Sequence, residues 1–284
     1  MSTEGPVAVI GLGIIGSVWT RNWHADGLAV RAWNRTPKPD VPGWRPDLAQ
    51  AVRGAAVVSL VLSDGPVTAG ILDRILPALD RETIVVQSAT IGVDETLSLA
   101  AQVQAAGHLY LDMPFTGSKP AAEQRQTVFF VGDDADVFSR VRPLYERLSR
   151  ACLPIGRIGS AAAIKLAMNL NIAAVYQGLA ESLALARAAG VPDETYWQVL
   201  DQNVGHSGLA DLKRPKISQA DWTPQFSIKH LHKDLSLALR LAATRDCVLP
   251  QTERLTASYQ QQMEAGDADL DFAAMLRLVD RGRD

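Results

Sequence analysis

The chain has 284 residues, 21% of them charged, with a formal net charge of -3 and a sequence pI of about 6.0. This length allows two modest domains with a substantial core, and the charge balance provides no basic face, so neither nucleic acid nor a membrane is expected as a partner. The two cysteines, Cys152 and Cys247, match no metal or redox spacing, and no apolar run approaches the length of a membrane span.

Residues 7–36 predict a strand, a tight glycine turn, a helix and a second strand. The apolar run that begins at Val7 is too short for a helix, whereas the apolar residues after the turn recur at helical spacing until Gly27. Because the first strand begins so early, no secretory signal is expected, and a cytoplasmic protein fits. The turn itself consists of Gly11, Leu12, Gly13, Ile14, Ile15 and Gly16.

This turn has the pattern Gly-x-Gly-x-x-Gly, in which each glycine has a mechanical role. The first permits the tight bend, the second lets a pyrophosphate approach the backbone, and the third lets the helix pack closely on the strand. The helix amides that follow would face the phosphates. The pattern with its flanking elements predicts dinucleotide binding, and a glycine-rich turn in an unrelated α/β protein is the alternative.

The end of the second strand indicates which dinucleotide binds. A cofactor without the extra phosphate usually meets an acidic residue there, whereas a 2′-phosphate requires cationic and hydroxyl donors. This chain has Asn34, Arg35 and Thr36 at that point, with no acid until Asp40. Arg35 can stack on the adenine and pair with the phosphate, so NADPH is the predicted cofactor. The alternative is that Arg35 is a solvated surface arginine.

Strands and helices then alternate up to about residue 158. Strands are predicted near residues 55–62, 84–87, 108–111 and 128–131, which indicates a Rossmann-type, doubly wound α/β domain with a mostly parallel sheet. Ligands of such sheets bind outside the carboxyl ends of the strands. Three segments there are site candidates, namely Leu62 with Ser63 and Asp64, Ser88 to Thr90, and Asp112 to Lys119.

The pattern changes after Gly159. Residues 160–189 contain no proline and few charges, which predicts one long helix buried on most of its sides. Further helices are predicted near residues 194–200, 209–219, 228–244 and 249–265. We therefore expect a Rossmann domain at residues 1–158 and an all-α domain for substrate and dimerisation at 159–284, joined by the long helix.

Lys165 is the only cation between Arg157 and Arg187. A lysine in so apolar a segment loses solvation, which favours its neutral form and makes it a usable proton donor near neutral pH. Asn169 lies one turn further on the same helix face. Together they could hold one substrate oxygen, with the ammonium giving a proton as hydride arrives. The alternative is a snorkelling lysine beside a satisfied core asparagine.

The turn at Thr116, Gly117 and Ser118 follows a predicted strand. Its hydroxyls and backbone amides suit a carboxylate or another small anion. An ordinary surface turn is the alternative.

At this point the chain resembles a known family, the β-hydroxyacid dehydrogenases. The resemblance rests on four motifs in the family's order: Gly11-Leu12-Gly13-Ile14-Ile15-Gly16, Pro114-Phe115-Thr116-Gly117, Lys165 with Asn169, and Lys233-Asp234-Leu235-Ser236-Leu237-Ala238. They cover nearly the whole chain. Three segments are most similar to the NADPH-dependent glyoxylate and succinic semialdehyde reductases: Asn34-Arg35-Thr36, Gly117-Ser118-Lys119-Pro120-Ala121-Ala122-Glu123, and the segment from Phe226 to Asp234.

The resemblance implies roles for particular residues. Lys165 would be the general acid, and Thr116, Gly117 and Asn169 would hold the substrate. Thr90 would contact the nicotinamide end of the cofactor. From the helical domain, Phe226, Lys233 and Asp234 would close over the cofactor. His230 and His232 share a helix but would face different directions, and no metal is predicted.

This chain also departs from the family pattern. Thr116 replaces the family's serine, while Met113, Phe115 and Pro120 make that loop bulkier, and Met168 stands where many members carry a first asparagine. The catalytic chemistry is compatible with these changes, but they leave the substrate open.

The favoured hypothesis is a homodimeric reductase that transfers hydride from NADPH to a small aldehyde or oxo acid, such as a semialdehyde or glyoxylate. An imine reductase is the second hypothesis, because such enzymes share this architecture and the Asn-Arg-Thr strand end, although they typically lack the lysine. The third hypothesis is a sensor that binds NADPH without turnover.

Overall fold

The computed structural model describes residues 5–280, and the chain divides into two compact units, Met1–Lys165 and Leu166–Asp284. The predicted domain boundary at residue 158 stays a prediction. The expectation that no secretory signal precedes the first strand rests partly on residues 1–4, which lie outside the described residues. Within residues 5–280, no helix is both long and apolar enough to cross a membrane.

The first unit is built around a mostly parallel sheet. Its strands are β1 (Val7–Ile10), β2 (Val30–Trp33), β3 (Val57–Leu60), β4 (Ile84–Gln87), β5 (Leu109–Asp112), β6 (Phe115–Thr116), β7 (Thr127–Gly132) and β8 (Ser149–Gly156). They lie in the order β2-β1-β3-β4-β5-β7-β6, with β8 paired to β7. The first five are parallel. Because β1 lies between β2 and β3, the chain direction across the sheet reverses beside β1, where such folds bind ligands.

Helices connect these strands. They are α1 (Ile14–Ala25), α2 (Leu48–Val52), α3 (Gly65–Ile75), α4 (Val93–Ala105), α5 (Lys119–Glu123) and α6 (Phe138–Tyr145). Alternate residues of β1 enter two separate apolar cores, Val7 and Val9 in one, Ala8 and Ile10 in the other. This is the alternation expected of a strand buried on both faces. The predicted doubly wound α/β fold is confirmed.

An aromatic cluster fixes α1 against the sheet. The ring of Trp19 lies 5.0 Å from that of Phe129, which in turn meets Tyr145 edge-on at 5.1 Å. The indole nitrogen of Trp23 donates to the carbonyl of Leu144 at 2.9 Å. Buried aromatic pairs of this kind add stability beyond the area they bury, so the helix that follows the glycine turn is held at several points.

The far edge of the sheet differs from a simple βα alternation. β7 runs antiparallel to β5 and β6, and parallel to β8. β8 was not among the predicted strands. It contains Pro154 and Arg150 and is exposed along much of its length, as edge strands often are. The alternation of buried apolar residues that identifies a central strand is therefore missing from its sequence.

The second unit is helical. The long helix α7 (Ser160–Ala188) begins in the first unit, and α8 (Asp193–Leu200), α9 (Gly208–Ser218), α10 (Ile228–Ala243), α11 (Pro250–Gln262) and α12 (Leu276–Val279) follow. The predicted helix at 160–189 is thus confirmed to within one residue. Tyr176 and Leu183 of α7 enter the core of this unit, and the Tyr176 hydroxyl donates to the carbonyl of Ala273 at 2.6 Å.

The close packing at Gly16 can be tested against a second helical glycine. A Cβ at Gly16 would lie 1.9 Å from the carbonyl oxygen of Gly11, whereas one at Gly70 in α3 would meet nothing within 4 Å. We expect Gly16→Ala to destabilise the protein by about 1–3 kcal/mol through overpacking and Gly70→Ala to stabilise it by up to about 1 kcal/mol through helix propensity. Thermal unfolding measures both shifts, and equal midpoints for the two variants would contradict the close packing.

Candidate functional site

The glycine turn lies where the sheet order reverses. Gly11 has a φ of +103°, and a Cβ there would lie 2.2 Å from the carbonyl oxygen of Val61, at the end of β3. Only glycine fits this position without moving the strand. By contrast, a Cβ at Gly13 would meet nothing within 4 Å. The turn therefore combines two crowded glycines, Gly11 and Gly16, with one that faces open space, as the backbone approach of a pyrophosphate requires.

The N-terminus of α1 provides the charge complement. Gly13 is the residue before the helix, no acidic side chain lies in the first turn, and no side chain caps it. Its amides and dipole thus remain available to an anion. Leu12 is buried, while Ile14 is exposed and Ile15 is partly buried.

Asn34 holds the turn to the end of β2. Its side-chain oxygen accepts from the amide of Leu12 at 2.9 Å, and its side-chain nitrogen donates to the carbonyl of Thr36 at 2.8 Å. Arg35 and Thr36 are exposed beyond it. The first acid after the strand, Asp40, pairs with Arg21 of α1 at 2.7 Å. The predicted 2′-phosphate position thus has a cation and a hydroxyl, and the nearest carboxylate in sequence is engaged elsewhere.

In the segment after β3, the acidic residue Asp64 has a structural role as the cap of α3. The Asp64 carboxylate accepts from the amide of Val67 at 2.9 Å and from the Ser63 hydroxyl at 2.6 Å, and it thereby caps α3. Leu62 is partly buried beside Gly11, and its side chain is the third contact of the hypothetical Cβ there. Thr90 lies just after β4 and is partly buried. Leu62 is thus brought against the glycine turn.

The predicted anion-binding turn follows the short strand β6. Thr116 pairs with Val128 of β7, Gly117 has a φ of +126°, and Ser118 precedes α5 without capping it through its side chain. All three residues are partly buried. The positive φ explains why glycine is needed at the centre of this turn.

The bulky residues of this loop pack into the core. Met113 is fully buried among the apolar residues of the sheet, and the ring of Phe115 lies 4.8 Å from that of Trp19 in α1. Much of the added volume is therefore absorbed on the core side of the loop, where it supports the turn at Thr116.

Lys165 lies in the second turn of α7, and its side chain is 9% exposed. Asn169 follows one helical turn later and is 1% exposed, whereas Met168 between them is 39% exposed. Lys165 thus belongs to the first unit and Asn169 to the second. Both members of the predicted pair are therefore buried polar side chains on a largely apolar helix.

Within the second unit, Asn169 is tied to the adjacent Lys233 and Asp234 of α10. Its side-chain nitrogen donates to the buried carboxylate of Asp234 at 2.6 Å, and the ammonium of Lys233 lies 2.9 Å from the other oxygen of that carboxylate. The structure therefore brings together three residues that were predicted separately, one as a substrate ligand and two as cofactor contacts. A carboxylate acceptor fixes the orientation of the asparagine amide.

The loop that carries Phe226 is held by two buried lysines of α9, which the sequence analysis did not single out. Lys213 is 1% exposed and lies 2.7 Å from Asp271, whose other oxygen accepts from the amide of Gln225 at 2.8 Å and from that of Phe226 at 3.3 Å. Lys216 donates to the carbonyl of Thr223 at 2.6 Å. Burial lowers the pKa of Lys213, and the charge of Asp271 opposes this shift. Lysines at this spacing on a helix normally lie on a solvated face. The sequence therefore gave no indication that these two are buried and hold the loop.

His230, His206 and the acids beside His206 have protein partners in the structure. The Nδ1 atom of His230 lies 2.6 Å from the Ser227 hydroxyl, and burial is the main cause that lowers the pKa of both His230 and His232. Among residues 5–280, potential metal ligands cluster at the exposed Asp201, His206 and Asp211. There His206 pairs with Asp211 at 2.8 Å and Arg214 pairs with Asp201 at 3.1 Å. The prediction of no metal stays a prediction.

Comparison with known proteins follows the same division of the chain. The family model described as the NAD binding domain of 6-phosphogluconate dehydrogenase matches residues 6–156. The model described as NAD-binding of NADP-dependent 3-hydroxyisobutyrate dehydrogenase matches residues 159–279. The open position at Gly13 and the uncapped start of α1 fit the nicotinamide dinucleotide that both descriptions name.

Individual proteins resemble the chain over nearly its full length. Glyoxylate/succinic semialdehyde reductase 1 of Arabidopsis thaliana is 24% identical over 295 residues, which cover 98% of this chain and 99% of that protein. The solved structure of Mycobacterium tuberculosis 3-hydroxyisobutyrate dehydrogenase with L-serine has a TM-score of 0.87 at 26% identity and covers 98% of this chain and 99% of its own. An imine reductase from Myxococcus stipitatus in complex with NADP+ has a TM-score of 0.66 at 21% identity and covers 96% of this chain and 99% of its own. This similarity is one of fold alone.

Two family models together match most of the chain. The structure agrees with them, because it has a glycine turn where the sheet order reverses and a buried lysine early in the long helix. The chain belongs to the β-hydroxyacid dehydrogenase family, whose members use a nicotinamide cofactor to act on CH–OH and C=O groups.

Proposed function

We propose that the protein is an NADPH-dependent reductase of a small aldehyde or oxo acid, of the semialdehyde or glyoxylate type, and that Lys165 is its proton donor. The observation that carries this proposal is a lysine that is 9% exposed, in the second turn of α7 and at the end of the unit that contains the glycine turn. The name of the Arabidopsis relative supports the substrate class. Imine reduction and NADPH binding without turnover are the alternatives that the experiment below separates.

In the proposed reaction, NADPH supplies the hydride that reaches the carbonyl carbon. The Lys165 ammonium gives its proton to the carbonyl oxygen as negative charge develops there, which yields the alcohol. Asn169, oriented by Asp234, would hold the same oxygen. Thr116, Gly117 and Ser118 would bind the carboxylate of an oxo acid through hydroxyl and amide donors.

For the cofactor, we propose that the turn from Gly11 to Gly16 lets the pyrophosphate approach the backbone, with the amides at the start of α1 facing it. Arg35 and Thr36 would hold the 2′-phosphate beside Asn34. Leu62, Ser63, Asp64 and Thr90 would line the path toward the nicotinamide. Phe226, Lys233 and Asp234 would contact the cofactor from the helical unit. A cytoplasmic location is also proposed, and the two free cysteines support it because disulfides are rare in that compartment.

The proposed reaction is tested by NADPH consumption over glyoxylate, succinic semialdehyde, 2-methyl-3-oxopropanoate, uncharged aldehydes and a cyclic imine. We expect turnover of the acids, and a loss of about 10²- to 10⁴-fold in kcat for Lys165→Ala, the usual range for removing a general acid. Lys165→Arg should also be inactive, because a guanidinium keeps the charge but does not release its proton.

Fluorescence titration with NADPH is the control for these variants, and both should bind the cofactor as the wild type does. Wild-type turnover of the imine alone would favour the imine reductase. Tight NADPH binding without oxidation of any compound would favour the sensor. Full activity of Lys165→Ala would refute the assignment of the proton donor.

The cofactor preference depends on Arg35. Because a hydrogen bond to a charged group contributes about 1.5–3 kcal/mol, Arg35→Ala should raise the KM for NADPH roughly 10- to 100-fold and leave that for NADH unchanged. Arg53→Ala is the matched control, since Arg53 is also an exposed arginine but lies between α2 and the start of β3, whereas Arg35 follows the end of β2. Steady-state kinetics with both cofactors provide the measurement. Equal KM values for NADPH and NADH in the wild type would contradict the proposal.

We also propose that the protein is a homodimer. The second unit has an open, largely apolar groove of about 520 Å³ between α7 and α8, lined among others by Val175, Leu179, Tyr196 and Val199. Val175 is 37% exposed, and Val199 is 62% exposed. Apolar side chains in an open groove are typical of a surface that a partner covers, and a second copy of this chain is the proposed partner.

Light scattering after size exclusion should therefore give twice the chain mass of 30.6 kDa. Val199→Glu should yield monomers, because a carboxylate would have to be buried at the contact. Val248→Glu, at a valine that is 80% exposed outside the groove, should remain dimeric. A monomeric wild type would refute the assembly.

A further inference from the structure

A buried carboxylate at the end of β5 has no role in the proposed reaction. Asp112 is fully buried, and one of its oxygens accepts from two backbone amides, those of Gly159 and Ala162, at 3.0 Å each. Its other oxygen has no hydrogen-bond partner among the described residues. On the neighbouring strand, Gly132 stands opposite Asp112, and a Cβ there would lie 3.1 Å from the carboxylate oxygen. The sheet thus leaves room for this side chain by having glycine beside it.

The two amides that Asp112 binds belong to the start of α7. Gly159 directly precedes the helix and Ala162 lies in its first turn, where backbone amides have no partner within the helix. A negative charge is also favoured at a helix N-terminus. Lys165 follows Ala162 by three residues, so less than one turn separates the capped amide from the predicted proton donor. Asp112 therefore links the sheet that carries the cofactor site to the turn that carries Lys165.

We propose that Asp112 is a positioning residue for Lys165. Its ionised carboxylate holds the first turn of α7 against the end of β5, so that the ammonium of Lys165 has a fixed position for proton transfer. This inference rests on the proposed function, because the position of Lys165 matters only if that residue donates the proton. Errors of about 1 Å in such a position can cost up to about 100-fold in rate.

The carboxylate is not the residue that stability alone would favour. Burial is the largest influence on Asp112 and raises its pKa from 3.8 to about 6, although the amides of Ala162, Gly159 and Ala161 oppose this shift. Since the folded protein binds the proton more readily than the unfolded chain, the ionised form lowers stability above about pH 6. That cost disappears as the pH falls toward 3.8. An asparagine of the same shape would carry no such cost.

Few charged groups face Asp112 from the elements around it. On its own strand, Tyr110 is buried and its pKa is raised well above its ordinary value, mainly by burial. On the adjacent strand β4, the residue paired with Asp112 is Gln87, which is uncharged. Beyond the glycine on β7, Asp134 pairs with Arg157 at 3.5 Å at the turn before α7. Lys165 is the charged residue in the first two turns of α7.

The test compares Asp112→Asn with the wild type between pH 5 and 9. For the wild type, we expect kcat to fall on the acid side with an apparent pKa near 6, because a neutral carboxyl is a weaker acceptor for the two amides. For Asp112→Asn, we expect kcat to be about tenfold lower at pH 7.5 and the acid limb to disappear, while the KM for NADPH stays unchanged. The variant should unfold at or above the wild-type temperature at pH 8, which a purely structural role would not produce.

Asp133→Asn is the matched control. Asp133 also accepts from two backbone amides, those of Ala135 and Phe138, but at the start of α6 rather than α7. It should leave kcat and the pH profile as in the wild type. Hydrogen exchange of residues 156–165 gives a readout independent of activity, and these amides should exchange faster in Asp112→Asn at pH 7.5.

The outcomes distinguish this inference from the proposed function. A wild type that turns over its substrate with flat kcat between pH 5 and 7, or an Asn variant with unchanged kcat, acid limb and exchange, would overturn the positioning role and leave the reductase intact. A wild type that oxidises no NADPH would overturn both, and faster exchange in the variant would then identify Asp112 as a helix cap only.

Discussion

The contact between Gly16 and Gly11 is the constraint on which the rest of the first unit depends. A single methyl group at Gly16 would lie 1.9 Å from the Gly11 carbonyl oxygen, and one at Gly11 would lie 2.2 Å from that of Val61. Helix α1 can approach β1 and β3 this closely only because neither position has a side chain. The aromatic cluster around Trp19 then holds the helix in that position. Removing space at the turn would therefore displace the N-terminus of α1, where the phosphates are proposed to bind.

In this arrangement, the backbone and the side chains have different parts in binding the proposed cofactor. Phosphate recognition needs backbone amides at a fixed place, which the crowded glycines provide. The choice between two cofactors that differ by one phosphate is left to a few side chains after β2. One of them, Asn34, is already engaged by the amide of Leu12 and stiffens the turn. Arg35 and Thr36, which are exposed, are the residues proposed to bind the extra phosphate.

The sequence predicted the local features of this molecule better than the long-range ones. The strand Ile84–Gln87 and the long helix Ser160–Ala188 have strong periodicity and clear ends, and both predictions are confirmed closely. The edge strand β8 was missed because it lacks a buried face. Pattern and spacing identified the glycine turn and the pair of Lys165 and Asn169 as site candidates, since these residues are contiguous or one turn apart, and the resemblance then implied their roles.

What the sequence could not indicate is which buried charge supports which segment. Asp112 lies 47 residues from Gly159, and Lys213 lies 58 residues from Asp271. Nothing in the local pattern of either residue shows that it is buried, because an aspartate after a strand and a lysine on a helix are usually solvated. Such pairings depend on the packed fold, so they emerge only from the coordinates.

Three buried carboxylates serve the predicted site in the same physical way, but their partners differ. Asp234 has Lys233 at 2.9 Å and binds the Asn169 amide, and Asp271 has Lys213 at 2.7 Å and binds the loop of Phe226. Asp112 is held by backbone amides alone. A cation offsets much of the cost of burying a carboxylate, whereas amides offset less of it. Burial is the main cause that raises the pKa of Asp112 to about 6, and its amide partners oppose this shift only in part. The contact beside Lys165 is therefore one whose strength depends on pH near 6.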